Sequence, residues 1–344
     1  MIPTRTVPEV LRRARDLTAP AVDAALARLS PEVRPLAEYH FGLADEQGRR
    51  IEGASCGKGI RPALTVLSAE AAGASARTGV PGAVAVELVH NFSLVHDDVI
   101  DCDEERRHRP TLWSIWGIGR AIIAGDAMLA LAQQIVLEGT TATGGGAAAA
   151  GARCLAEATA AMIAGQALDM AFESLPGVDV ENCLSMEAGK TGALLGCASS
   201  LGAILAGAPE AVTSALRDFG VQLGLAFQAV DDLLGIWGDP RQTGKPAWSD
   251  IRQHKKTLPI AAALAAGDED AAELADLLRI AELAEPEIAR AAALVEKCGG
   301  REIAVDEARG RLAAALDAIS RVSLESRARD ELEDVARFVV AREH

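Results

Sequence analysis

The chain has 344 residues, 49% of them hydrophobic and 3% aromatic, with a single tyrosine, Tyr39. Alanine and leucine dominate, which favours helix over sheet. Its 34 basic and 49 acidic residues leave a formal charge of −15, which argues against a nucleic-acid face or a polybasic membrane contact and obliges any anionic ligand to find a local cationic pocket or bound divalent metal.

From the start of the chain, MIPTRTVPEVLRRARDL has no apolar core for a secretory signal, and residues 1 to about 20 are expected to form a flexible segment. Helical periodicity then recurs almost everywhere, with glycine and proline as punctuation. Breaks are expected at Glu52–Gly59, Arg77–Gly82, Arg106–Pro110, Gly139–Gly151, Leu175–Val180, Gly207–Pro209, Gly235–Pro246, Ala266–Asp268 and Cys298–Gly300. Gly139–Gly151, GTTATGGGAAAAG, reads as a mobile helix–helix loop. The uncharged stretch Thr191 to Pro209 is the nearest approach to a membrane span, but its Gly, Ser and Ala content suits a buried core helix better. The fold class expected is all-α, a single large helical bundle over 1–344 with no interdomain linker. Six cysteines lie scattered without a CxxC pair, so neither a zinc site nor a disulfide framework is indicated, and a reduced cytoplasm fits.

Three groups of residues carry chemistry. The loop GASCGKGIRP sets Lys58 and Arg61 among glycines, where backbone can approach a ligand closely, although an ordinary interhelix loop reads the same way. The segment VELVHNFSLVHDDVIDCDEERRHRP brings an apolar helical run to Asp97, Asp98 and Asp101, with Arg106 and Arg107 following. Asp97 and Asp101 share a helix face, with His90 and Leu94 on about the same stripe. Two unit charges ~4 Å apart repel by about 4 kcal/mol at an effective dielectric of ~20, so a proton or a cation must offset them. Oxygen-only ligands favour Mg²⁺, which commonly combines one or two carboxylates with substrate phosphates. The bland alternative is a solvated helix end. Further on, GLAFQAVDDLLGIWGDP repeats the pattern, with Phe227 one turn before Asp231 and with Gln228, Asp231 and Asp232 at i, i+3 and i+4. Facing helices of a bundle would let both clusters clamp a metal-bound diphosphate. Lys190–Thr191, Lys245 in GDPRQTGKP and Lys255 in HKKTLP add cations that are unremarkable singly.

In chain order GKGIRP, HDDVID, ERRHRPT, Gly125–Asp126, GQALD, KTGALL, FQAVDDLLG, TGKP and KKTLP resemble the trans-isoprenyl diphosphate synthase (polyprenyl synthetase) family over about residues 55 to 260. The resemblance implies a helical bundle around a deep central cavity, usually in a homodimer, that condenses an allylic diphosphate with isopentenyl diphosphate. It implies that Asp97, Asp101 and Asp231 ligate three Mg²⁺, supported by Asp98 and Asp232. Arg106, Lys190, Thr191, Gln228, Lys245 and Lys255 are then expected at the allylic diphosphate. Gly57, Lys58, Arg61, His90 and Arg107 are expected at isopentenyl diphosphate, with Phe227 facing the reacting carbons. One departure stands out: Gly235 occupies the fifth position of the second motif, where the family usually has aspartate, and Asp239 follows nearby.

The chemistry so implied is ionisation, condensation and elimination, with no side-chain general base. Product length in the family follows the residues just before the first motif. Phe92 with its small neighbour Ser93, and no insertion in the motif, resembles the geranylgeranyl (C20) pattern; by periodicity alone Phe92 would be ordinary core. Farnesyl or longer products are the alternative within the same chemistry. A terpene cyclase on the same bundle would lack the need for Lys58, Arg61 and Arg107. A non-catalytic partner subunit would usually lose one acidic motif, and a helical scaffold would use its acids only for solvation.

Overall fold

The computed structural model describes residues 7–51, 59–139, 145–173, 175, 177–240 and 246–341. They form two compact units. The first takes in Met1–Glu157, Cys197–Arg217 and Val322–Leu332; the second takes in Ala158–Gly196, Asp218–Arg321 and Glu333–His344.

In the first unit, α1 (Val7–Leu26) and α2 (Arg34–His40) precede α3 (Ile60–Ala71) and the long α4 (Ala76–Ile100). A two-stranded hairpin follows, β1 (Glu105–Arg106) with β2 (Arg109–Pro110), then α5 (Leu112–Trp116), α6 (Ile118–Glu138) and the start of α7 (Gly145–Glu173). α4 packs against α3 and α6, burying an almost unbroken run from Gly82 to Val89. That burial corrects one expectation. The break foreseen at Arg77–Gly82 does not occur: α4 starts at Ala76, capped by the Ser75 hydroxyl accepting from Arg77 N, and runs through Gly79, Pro81 and Gly82. Tertiary packing outweighs the local cost of those residues. The loop foreseen up to Gly151 is likewise shorter, because α7 is already helical from Gly145 and its alanines are the strongest helix formers. The N-terminal segment has regular structure where it is described. It is helical from Val7, and Arg13 donates to Glu70 at 2.6 and 2.8 Å and to Glu331 at 2.8 Å.

In the second unit, α8 (Val180–Glu187) runs into a five-residue π-helical turn, Ala188–Gly192; α9 (Ala193–Leu205) follows, its residues from Cys197 onward belonging to the first unit. After α10 (Glu210–Trp237), which belongs to the second unit from Asp218, come α11 (Ser249–Arg252), α12 (Leu258–Ala265), α13 (Glu269–Leu277), α14 (Glu285–Lys297), α15 (Gly300–Ser320) and α16 (Ser326–Val340), the last belonging to it from Glu333. Met186 of α8, Val230 and Leu233 of α10, Leu258 of α12 and Ala304 of α15 share one core cluster. The α10 side of that cluster fixes the helix that carries the second aspartate pair.

Among the described residues, four stretches are long and apolar enough to cross a membrane: Ile118–Glu138, Gly146–Glu173, Val180–Leu205 and Glu210–Trp237. Val180–Leu205 contains most of the uncharged run singled out above, and 78% of its most apolar window is buried within the protein.

Candidate active site

The first acidic cluster closes α4. Asp101 is the C-cap and donates its N–H to the Asp97 carbonyl at 2.8 Å, so the two side chains keep the one-turn spacing expected of them. Carboxylates at this end of a helix meet the negative pole of its dipole, which makes a compensating cation more necessary. The two members of the Asp97–Asp98 pair diverge. Asp97 is half-buried, whereas Asp98 is 1% exposed and accepts from Arg106 Nε at 2.6 Å. Burial pushes the Asp98 carboxyl up to about 6, against the opposing charge and hydrogen bond of Arg106.

Arg106 is delivered by the hairpin. Arg107 and His108 form its tip with φ of 54° and 60°. Both residues of this two-residue turn are left-handed, at about 1–2 kcal/mol each for a residue other than glycine. The turn leaves Arg107 exposed while Arg106 turns inward. Arg109 anchors it, donating to Tyr39 O at 3.2 Å and Ala44 O at 3.0 Å, with its guanidinium 4.1 Å from the Tyr39 ring centre. Thr111 Oγ1 and Trp113 Nε1 each donate to Asp103 O at 2.8 Å and tie down the acidic loop.

His90 lies within 3.5 Å of Arg61, Nε2 to a guanidinium nitrogen. Burial first, then the charges of Arg61 and Arg107, hold its pKa well below the usual value, so the ring is neutral. Phe92 is 5% exposed and packs edge-on against His96, ring centres 5.3 Å apart. Ser93 is half-buried and donates its hydroxyl to His90 O at 2.8 Å. His96 also lies 3.1 Å from Ile122 O through Nε2.

The second acidic cluster sits on α10. Asp231 is exposed and Asp232 is 3% exposed. Both oxygens of Asp232 are engaged: Oδ1 accepts from Gln228 Nε2 at 2.8 Å and Oδ2 from Leu258 N at 3.0 Å. Burial pushes its carboxyl up to about 7; the bonds from Gln228 and Leu258 pull it down, and nearby Asp250 pushes it up. Thr191 donates to Gln228 Oε1 at 2.9 Å, so Thr191, Gln228 and Asp232 form one chain of hydrogen bonds. Lys190 and Thr191 ride on the π-helical turn, a feature frequent at functional sites. Lys190 Nζ meets Asp169 at 2.5 Å, each side chain about one-third exposed. Gly165, of the GQALD motif, makes room for that turn: a Cβ there would lie 2.2 Å from Lys190 N. Phe227 is half-buried and Lys255 exposed. Gly57, Lys58 and Lys245 lie outside the described residues.

Gly235 now has a physical reason. A Cβ at this position would stand 1.9 Å from Asp250 Oδ2, and Asp250 is 5% exposed. The carboxylate of α11 fills the space that a side chain at 235 would need. Glu187 (2% exposed) completes a buried acidic group with Asp232 and Asp250. Its pKa is held well above the usual value by burial first and Asp232 second. Sequence reading missed Asp169, Glu187 and Asp250. Asp169 had a signal, since it ends the GQALD motif; nothing in the local sequence marks the other two.

Among the described residues, no three His, Cys, Asp or Glu side chains converge tightly enough to hold a metal alone. Asp97 and Asp101, an oxygen-only pair one turn apart, fit an ion that takes its remaining ligands from water and phosphate, as Mg²⁺ does.

An all-helical fold with an aspartate pair on each of two long helices, Arg106 bonded to the first pair and Gln228 and Thr191 chained to the second, fits the class of helical synthases that handle diphosphates. The chain belongs to the polyprenyl synthetase family, whose profile matches residues 52–295. It is 48% identical to a (2E,6E)-farnesyl diphosphate synthase of Mycobacterium tuberculosis over 343 residues, covering 98% of this chain and 94% of that one. It is 43% identical to a geranylgeranyl diphosphate synthase of the same organism over 311 residues, covering 90% and 88%. A polyprenyl synthetase structure from Streptomyces coelicolor A3(2) superposes with a TM-score of 0.92 at 50% identity, covering 97% and 99%. A geranylgeranyl pyrophosphate synthase structure from Corynebacterium glutamicum, complexed with isoprenyl diphosphate and magnesium, superposes with a TM-score of 0.82 at 26% identity, covering 99% and 100%. The chain is therefore a trans-prenyltransferase that elongates prenyl diphosphates, with the all-α isoprenoid synthase fold.

Proposed function

We propose that the enzyme condenses an allylic diphosphate (dimethylallyl, geranyl or farnesyl) head to tail with isopentenyl diphosphate and stops at geranylgeranyl diphosphate. The observation that carries the reading is the division of labour within each aspartate pair. Asp98 and Asp232 are buried and hydrogen-bonded, while Asp97 and Asp231 stay on the accessible side. Asp97, Asp101 and Asp231 would hold three Mg²⁺, which supply Lewis-acid stabilisation of the leaving diphosphate.

The chain's own residues do the rest. Arg106, Lys190, Thr191, Gln228, Lys245 and Lys255 bind the allylic diphosphate where negative charge develops as the C–O bond breaks. Gly57, Lys58, Arg61, His90 and Arg107 hold isopentenyl diphosphate so that its double bond meets the allylic cation. Phe227 shields the reacting carbons from water. The proton released after condensation goes to the departing diphosphate, since no side chain is arranged as a base. One domain over 1–344, paired as a homodimer in the cytoplasm without membrane span or nucleic acid, completes the reading.

Phe92, buried and braced by His96 five residues before the motif, supports a C20 product. The 48% identity to a farnesyl synthase favours a second reading in which growth stops at C15. Chromatography of products made from each of the three primers decides between them. A C20 product that lengthens in Phe92→Ala supports the first reading, a C15 product from geranyl diphosphate the second. Failure to consume isopentenyl diphosphate with any primer overturns both and points to a cyclase. Activity appearing only with a second subunit points to a non-catalytic partner.

A further inference from the structure

Four side chains of the second unit link α10 to the helical run that carries Lys190 and Thr191. Glu187, at the end of α8, stands four residues before Thr191 of the π-helical turn, and Gln228 stands four before Asp232 on α10. Thr191 donates to Gln228 Oε1 at 2.9 Å, Gln228 Nε2 donates to Asp232 Oδ1 at 2.8 Å, and the Glu187 and Asp232 carboxyls bond each other. Glu187, Thr191 and Asp232 are all buried. One Glu187 oxygen, Oε1, accepts from the Cys183 thiol at 3.4 Å; the other, Oε2, is buried with no donor among the described residues. Oε2 is therefore the atom left for Asp232. Two buried carboxyls in contact cannot both be charged, so one proton lies between them. Asp232 already accepts N–H groups from Gln228 and Leu258, which favours its charged form, whereas Glu187 accepts from a thiol, a weak donor. The proton accordingly stays on Glu187, whose pKa is held well above the usual value by burial first and Asp232 second.

We propose that Glu187 is a positioning residue for the allylic diphosphate: its carboxylic acid donates to Asp232 and so fixes the amide of Gln228 and the hydroxyl of Thr191, the two groups of this network expected at that substrate. The inference rests on the function proposed above and adds a residue that the sequence motifs do not contain. A charged Asp232 draws the amide N–H of Gln228 rather than its carbonyl. Gln228 then turns Oε1 to Thr191, which commits the Thr191 proton, and keeps a second amide N–H that the network does not use. With no donor at position 187, burial favours a protonated Asp232, whose O–H would meet Gln228 Oε1 and turn the amide over. Glu187 thus acts through Asp232. Arg61, His90 and Arg107, expected at isopentenyl diphosphate, belong to the first unit and not to this network, so that substrate serves as the internal control.

The test is steady-state kinetics of the full-length enzyme, with geranyl diphosphate and isopentenyl diphosphate varied in turn. It compares wild type with Glu187→Gln, Glu187→Leu, Gln228→Ala and the double variant Glu187→Leu/Gln228→Ala, with melting temperatures measured in parallel. One oriented hydrogen bond is at stake, so Glu187→Leu should raise the KM for geranyl diphosphate by about threefold to tenfold while the KM for isopentenyl diphosphate stays within about twofold. Glu187→Gln, whose amide N–H replaces the acid proton, should keep both values near wild type. Adding Glu187→Leu to Gln228→Ala should change little more, because the effect runs through the Gln228 amide. Should Glu187→Leu not fold, Glu187→Asp, which draws the carboxyl back by one methylene, carries the comparison. An unchanged KM for geranyl diphosphate in the folded variant overturns the assignment. An equal rise for both substrates also overturns it, by marking a structural role. So do a Glu187→Gln as impaired as Glu187→Leu and losses that multiply in the double variant. Failure of the wild type to couple dimethylallyl, geranyl or farnesyl diphosphate to isopentenyl diphosphate would instead overturn the function proposed above.

Discussion

The two aspartate pairs look alike in sequence and are built differently. At the end of α4 the buried member, Asp98, is neutralised by a full charge from Arg106, delivered by a strained hairpin. On α10 the buried member, Asp232, is met by Gln228, the Leu258 amide and the buried carboxyl of Glu187, with Asp250 nearby and no cation bonded to it among the described residues. The comparison teaches that the inward aspartate of such a pair can be held either by a counter-charge or by neutral hydrogen bonds with a retained proton. In both, the outward aspartate is the more exposed of the two.

The largest effects should come from the outward members. Asp97→Asn and Asp231→Asn should each lower turnover by about 10³ or more, on the scale of losing one preorganised transition-state contact, with little change in melting temperature. Isopentenyl diphosphate incorporation and a thermal melt on the same samples check this, and a large loss of stability in either would erase the inward–outward distinction.

The inward members should separate by stability. Asp98→Ala strands Arg106 beside a buried gap, for which about 3–5 kcal/mol is expected. Asp232→Asn keeps one acceptor and the same shape, so about 1 kcal/mol is expected. Urea unfolding of the two variants measures the difference, and equal losses would show that both pairs are held in the same way. Gly235→Ala drives a methyl group into the Asp250 carboxylate and should cost about 1–3 kcal/mol. The double variant Gly235→Ala/Asp250→Gly should recover most of that loss.

The smallest effect is a pH dependence. The folded protein keeps the Glu187 proton above the ordinary carboxyl range. It therefore binds more protons than the unfolded chain, and this group's contribution to stability falls as pH rises above about 4.5. Glu187→Gln removes that fall. Its melting temperature relative to wild type should rise by about 3 °C or more between pH 5 and pH 8, and a constant difference would place the proton elsewhere.

Sequence carried the helical class because alanine-rich periodicity and tertiary packing agree over most of the chain. It marked the motif residues because adjacent aspartates in an apolar helical run need a proton, a counter-charge or a cation to offset their repulsion. It misread Arg77–Gly82 because local breakers were judged without the core that α4 buries, and it ran the loop to Gly151 because composition hides where a helix begins. Which aspartate of each pair faces inward was not legible, since Arg106 reaches Asp98 through a reversal at Arg107–His108 and the Leu258 amide is 26 residues from Asp232. The reason for Gly235 was equally hidden, because Asp250 approaches it from a separate helix.

The most direct test of the proposal that both pairs act on one diphosphate is a double-mutant cycle in isopentenyl diphosphate incorporation, using Asp97→Asn, Asp231→Asn and the combination. Groups that act as a unit are strongly non-additive, so the double variant should be scarcely slower than the slower single one. Losses that multiply would mean that the two aspartates serve separate sites, and the proposed mechanism would fail.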